Sequence, residues 1–584
     1  MLLLTIVLSS ALLLVIAYKT YGNLLARLLR LDGNKKTPAV ELNDGVDYDP
    51  IDWRFLMSQH FSAIAAAGPI VGPIVAGMMF GWLPTLLWIL LGAIFIGGIH
   101  DFGSLVASIR HKARSIAEVV REHMTRRSYL LFLSFVWIAL IYIIVAFTDI
   151  VAASFVGNIT LENGQTVRGA GIATSSVLYL ALPIAMAFIL RWTKLSLLAT
   201  TLIFLPMVGA AIWFGQYLPL DIAGWFGISD LAAQKVWVVA LLIYCFIAAI
   251  VPMWILLQPR GHLGGFFLFA ALIAGAAGVL FSGSDIEYPA FIGWSIPQGA
   301  GVATLFPVLF ITVACGACSG FHSIIASGTS SKQLQNELDA KKVGYGSMLL
   351  EAMVAVVSLA CVMILSKEAV SGLGGKPNFI YALGLGRFME VFGIPASFGV
   401  LFGLMAFTTF VYDTLDVCTR LGRYILQELF GWQNTFGRYA ATALTAFIPL
   451  FFVMQTAVDA NGNVIPSWRV FWPLFGASNQ LLAAIGLLGI TVWLHRTYKA
   501  KWVWPIAGIP TLIMYIMSGW ALLQYVSRGF VSAAGFALPS NFVPWVALLL
   551  IVLAVMLLWE AVKVLTNRED SGVGAEGVPP AIAG

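Results

Sequence analysis

Charge is what this chain has least of. Only 10% of its 584 residues are Asp, Glu, Lys or Arg, against 60% that are hydrophobic, a balance that excludes an ordinary water-soluble globule. Cysteine is scarce as well, and the 5 present are scattered through apolar segments, which excludes a disulfide framework. No GxxxxGKS/T, HExxH or GxSxG pattern occurs, so nothing supports nucleotide hydrolysis or hydrolytic chemistry, and the chain reads as a non-enzyme. The net charge of +5 sits in short loops between apolar runs and calls for no nucleic-acid partner.

What is abundant is apolar sequence in long runs. At roughly 20 residues per crossing these give about fifteen spans. The expectation is an all-α polytopic membrane protein, with one membrane-embedded domain over residues 1–566 and a disordered Gly- and Pro-rich tail over 567–584. The run at 2–18 lacks a basic leader and a good cleavage site, and reads as an uncleaved helix rather than a signal peptide. Basic residues fall in alternate loops, which places the N-terminus outside and the C-terminus inside a cytoplasmic membrane. The basic stretch from His111 to Arg127 reads as a solvated loop, with an amphipathic helix on the anionic inner leaflet as the alternative.

One apolar run is punctuated. Gln59 to Val75 contains Gly68-Pro69 and Gly72-Pro73, two missing backbone donors one turn apart, so the helix is expected to break there. A bilayer tolerates such a break only where protein, water or a ligand satisfies the freed groups. For an anionic solute the natural receptor is the amide cluster of Gly68, Ile70, Val71, Gly72 and Ile74 at a half-helix N-terminus, where it would meet a second break at Pro252. That second interruption is expected in the span 235–257, which runs the opposite way. Two such breaks predict a LeuT-like five-plus-five inverted repeat over residues 60–215 and 235–412, with helices 2–18 and 438–562 added around it.

Chemistry-bearing residues at membrane depth are functional candidates by default. Asp149, flanked by apolar residues, is the first proton-relay candidate, joined by His60, His100, Asp101 and Asp413. Cys315, Cys318 and His322 are spaced for one helical face and, with His60, offer soft ligands to a zinc-like transition metal. Close packing of small residues is the alternative there. Asp413, Asp416 and Arg420 are spaced for ion pairing along one helix, and Asn479 and Gln480 for hydrogen bonds between helices.

The runs from His60 to Ile74, Gly97 to Ser104, Val251 to Arg260, Cys315 to Gln333, Val411 to Tyr424 and Phe475 to Ala484 resemble the CstA carbon-starvation family. That resemblance implies a bacterial inner-membrane secondary transporter of the amino acid-polyamine-organocation superfamily, taking up pyruvate by proton symport or short peptides. The chain departs from the longer members at Gly261-His262, where they resemble QPRDY, and it is shorter than they are. The partners expected are a small-molecule substrate and the lipid bilayer, with the oligomeric state left open. No cofactor is required. A sodium-coupled carrier, with Ser319 and Ser323 in an oxygen cage, and a metal-responsive membrane protein remain as alternatives.

Overall fold

The computed structural model describes residues 2–566 apart from 45–47, 66, 162–163, 253, 299–300, 433, 459–463, 533–534 and 540–541, so the tail expected to be disordered lies outside the described residues. The chain is mostly helical, with four two-stranded antiparallel hairpins as its only sheets among those residues. Among the described residues thirteen helices are long and apolar enough to cross a bilayer, and one bent pair makes fourteen, against about fifteen expected. The stretch from Leu305 to Gly328, expected to be a continuous span, is instead two short helices.

The bent pair is the punctuated run. Helix α1 (Trp53–Ile64) and helix α2 (Gly68–Phe80) meet at 45°. The break falls just before the prolines rather than between them. Pro69 occupies the first turn of α2, where no amide is needed, and only Pro73 lies inside the helix. The next span carries a π-helical stretch, Gly92–Gly97, and continues as α3 (Gly98–Arg110).

Helix α4 (Ile116–His123) follows, within the basic stretch. It is a helix rather than a solvated loop, with Ile116, Ala117, Val119 and Val120 buried against the protein. His111 and His123 share a 2.8 Å hydrogen bond between their Nε2 atoms. Burial, then His111 and Arg496, push the His123 imidazole down to about 4. A folded-state value below the unfolded one means that the contribution is full above the unfolded pKa and is lost as pH falls through about 4. The protection factors of the Val119 and Val120 amides, each taken against the intrinsic exchange rate at the same pH, are therefore expected to fall as pH is lowered towards 4, and unchanged factors would refute it.

Helix α5 (Arg126–Val156) is a full span, as are α6 (Asp230–Ile250) and α7 (Leu257–Ser282). Pro252 lies in the connection between the last two and interrupts no helix, which corrects the expected site of the second break. Val251 is held extended before the proline (ψ 144°), as the ring demands of its predecessor. Arg420 Nη2 then takes the carbonyls of Ala248 and Val251, each at 2.6 Å. The stop is a capped helix end.

The second break is further along. Helix α8 (Leu305–Thr312) and helix α9 (Gly320–Gly328) are separated by an unwound segment, 313–319. The span after this break also carries a π-helical stretch, Lys341–Gly346, here at its start before helix α10 (Ser347–Met363), whereas Gly92–Gly97 lies mid-span. Helix α11 (Ala396–Phe430) and helix α12 (Ser467–Tyr498) complete the inner bundle. The apolar window of α12 is 100% buried, against 33% for the first and last spans. A helix expected among the outer additions is thus the most enclosed.

Candidate functional site

The two breaks face each other. A Cβ on Gly68 would stand 2.2 Å from Cys315 Sγ, and one on Gly72 would stand 2.5 Å from the carbonyl oxygen of Thr312. Only glycine permits so close an approach at these two positions. The glycines expected to receive a ligand thus receive the other interrupted segment. Of the expected amide donors, Ile70 and Val71 are already bonded to the carbonyl of Ala67, at 3.1 and 2.8 Å.

The freed groups of the second break are satisfied from neighbouring helices, as burial requires. Trp88 Nε1 donates to the carbonyl of Val313 at 3.1 Å, and Gln480 Nε2 to that of Cys318 at 3.2 Å. Asn479 Oδ1 accepts from the Phe321 amide at 3.1 Å, and its Nδ2 donates to Ser319 Oγ at 3.0 Å. Asn479 and Gln480 therefore do join helices, and what they join is α12 to the unwound segment. Because that segment is not helical, Cys315, Cys318 and His322 do not share a helical face, and the spacing argument for a metal site does not carry over. Cys315 Sγ instead contacts Ser319 and Asn479.

His322, at the start of α9, belongs to a different group. Asp101 on α3 accepts from His100 Nδ1 through Oδ1 and from His322 Nδ1 through Oδ2, each at 2.7 Å. On its far side His322 Nε2 lies 3.2 Å from Glu351 Oε2 of α10, within ion-pair reach but poorly aligned as a hydrogen bond. All four side chains are fully buried. They form a row, His100, Asp101, His322, Glu351, in which each imidazole can give a proton at one nitrogen while taking one at the other. His100 Nε2 at one end has no hydrogen-bond partner among the described residues. His60, on α1, is bonded to Ser330 Oγ at 2.7 Å and feels the charges of Asp101 and His322 without joining the row.

Asp149 stands apart. Its Oδ2 accepts from the Trp468 amide at 2.8 Å and its Oδ1 from Gln234 Nε2 at 2.9 Å, so it caps the first turn of α12. Asp413 belongs to a second buried cluster. Arg260, near the start of α7, holds Asp413 Oδ1 through Nε at 2.7 Å and Asp416 Oδ2 through Nη1 at 2.6 Å. The two aspartates thus pair with Arg260 across helices, and Arg420, expected to pair along α11, caps α6. Ser62 donates to Asp413 Oδ2, and Tyr244 to Asp416 Oδ2 at 2.8 Å.

Two functional candidates were not singled out from sequence. Glu351 carries the same signal as Asp149, an acidic residue inside the apolar run SMLLEAMVAVV. Arg260 falls between the apolar runs 235–257 and 263–282 and so reads as one of the basic loop residues, whereas it occupies the first turn of α7.

Comparison with known proteins decides the family. The model of the carbon starvation protein CstA family matches residues 3–380 and 367–521. The chain belongs to the CstA family. A peptide transporter CstA of Campylobacter jejuni is 32% identical over 88% of this chain and 78% of its own length. The peptide transporter CstA of Bacillus subtilis is 31% identical over 96% of each chain. The pyruvate/proton symporter BtsT of Escherichia coli is 29% identical over 88% of this chain and 81% of its own. This CstA-family chain is therefore a multi-pass membrane protein whose relatives are named as transporters.

Proposed function

We propose that this chain is a proton-coupled secondary transporter taking up a small carboxylate, pyruvate or a short peptide, across the cytoplasmic membrane by alternating access. The observation that carries the reading is the buried row of His100, Asp101, His322 and Glu351, built on α3, α9 and α10 directly beside the two breaks. Ionisable groups kept at such depth, linked and fully buried, suit a proton that is held and passed on. The hinge is supplied by the breaks, each followed by a π-bearing span. That repetition supports a LeuT-like inverted repeat centred on α1/α2 and α8/α9, with the N-terminus outside and the C-terminus in the cytoplasm.

Relatives named for peptides and for pyruvate with protons support that substrate class. Sodium is the weaker choice at Ser319, whose Oγ already accepts from Asn479 Nδ2. The test is labelled pyruvate uptake into proteoliposomes under an inward proton gradient, with L-alanyl-L-alanine as competitor and choline replacing sodium. Uptake is expected to follow the proton gradient and to ignore sodium. Uptake indifferent to collapse of the proton gradient overturns the reading.

A further inference from the structure

The row beside the breaks leaves a second buried ionic cluster unused, and two cavities lie near the two ends of α6, the helix that packs on it through Tyr244. The larger, about 250 Å³, lies where α5 ends and α6 begins, with Phe155 and Trp237 in its wall. From Phe155 an aromatic line leads inward. Its ring centroid is 6.4 Å from that of Tyr412, which is 5.8 Å from that of Tyr244. The Arg260 guanidinium lies over both tyrosines, 5.8 and 5.7 Å from their centroids. The smaller cavity, about 40 Å³, lies at the other end of α6 and is lined by Leu257, Lys332, Val417 and Arg420. Leu257 is one turn from Arg260, and Val417 adjoins Asp416.

Arg260 is 1% exposed, yet its Nη2 has no hydrogen-bond partner among the described residues, and neither has Asp416 Oδ1. A buried guanidinium with an unused nitrogen, roofed by aromatic rings and already matched to carboxylates, is a receptor for one more carboxylate. The obstacle is charge. Arg260 is the arginine paired directly with both Asp413 and Asp416, while Arg420 acts on Asp416 without pairing with it and caps α6, so an anion at Arg260 would enter against two carboxylates.

We propose that Arg260 binds the carboxylate of the transported anion, and that a proton taken up by Asp416 releases it to do so. One proton arrives on Asp416 Oδ1 as one carboxylate arrives on Arg260, so the charge of the cluster is unchanged and neither moves alone. The groups facing Asp416 are Arg260 on α7, Tyr244 and Cys245 on α6, Tyr412, Asp413, Cys418 and Arg420 on its own helix, and Tyr179. Tyr179 faces Arg260 from the helix Gly169–Trp192. Ser62 ties Asp413 to α1, the half-helix that also carries His60, so release of Arg260 is felt at the first break. This inference rests on the transport reading above and locates its substrate site.

The experiment measures binding of labelled pyruvate to the purified full chain between pH 5.5 and 8.5, for the wild type, Asp416→Asn and Arg260→Gln, with thermal unfolding as a check on folding. Wild-type affinity is expected to fall about tenfold per pH unit at the alkaline end, as one proton per anion requires. Asp416→Asn, which imitates the protonated acid, is expected to bind at pH 8.5 at least as tightly as the wild type at pH 5.5, without pH dependence. Folded Arg260→Gln is expected to lose binding at every pH. Should Arg260→Gln fail to fold, Asp416→Asn decides alone: a wild-type pH profile in that variant overturns the inference. Wild-type affinity in Arg260→Gln overturns it too, and leaves proton-coupled uptake standing. A wild type that neither binds pyruvate nor takes up pyruvate or L-alanyl-L-alanine overturns both readings.

Discussion

Asp101→Asn is expected to abolish proton-driven accumulation and to lower stability by about 3–5 kcal/mol, the usual cost of removing one partner of a buried ionic pair. The size follows from position. Asp101 is the one acceptor shared by His100 and His322, both at 2.7 Å and all three fully buried. An asparagine has one oxygen and one NH2 where two imidazole N–H groups now point, so one imidazole must face a donor and rotate or change tautomer. Thermal unfolding in detergent reads the first effect and uptake in proteoliposomes the second.

Because an unstable variant is also an inactive one, Glu351→Gln separates the two. Neither Glu351 oxygen makes an aligned hydrogen bond, so the isosteric amide should fold almost as well, yet it cannot take up the proton that His322 would pass. It is expected to retain exchange of labelled for unlabelled substrate while losing accumulation against a gradient. Full accumulation by a folded Glu351→Gln would remove Glu351 from the coupling path.

The membrane class and the first break were legible in sequence because both are written in residue types with one strong physical consequence. Apolar runs must be buried or face lipid, and a proline costs a helix interior a hydrogen bond but none in a first turn, which is where the break places Gly68-Pro69, while Pro73 is carried inside α2. The second break was misplaced because proline was trusted as its marker. At Pro252 the ring ends a helix between spans. At 313–319 the chain unwinds without any proline, through small residues whose backbone is satisfied by Trp88, Asn479 and Gln480 from distant parts of the sequence. Unwinding that depends on partners so far away leaves only a faint local signal, here the density of Gly, Ala, Ser and Cys. The site divides the same way. His100, Asp101 and His322 were all found as ionisable residues in apolar segments, but that Asp101 joins two of them, while Asp149 caps α12, is a fact of tertiary packing. Arg260 illustrates the converse, a buried charge hidden by a sequence that looks like a loop.

The contact between the two breaks makes the sharpest prediction for packing. Gly68→Ala is expected to cost about 1–3 kcal/mol, the range for forcing a methyl group into a filled interior. The new Cβ would lie 2.2 Å from Cys315 Sγ and 2.4 Å from Cys315 Cβ, but 3.8 Å from its Cα. Those distances rank the rescues. Cys315→Ala removes the sulfur and leaves the 2.4 Å clash, so it should relieve little, whereas Cys315→Gly removes both atoms and should recover most of the loss. The coupling is read from a double-mutant cycle of thermal unfolding. Gly72→Ala offers the contrast, because the nearest atom is the backbone oxygen of Thr312 at 2.5 Å, which no side-chain truncation can withdraw. It should have no partner that rescues it. If Gly68→Ala costs the same whether residue 315 is cysteine or glycine, the two interrupted helices do not bear on each other there, and the hinge they are taken to form loses its point of contact.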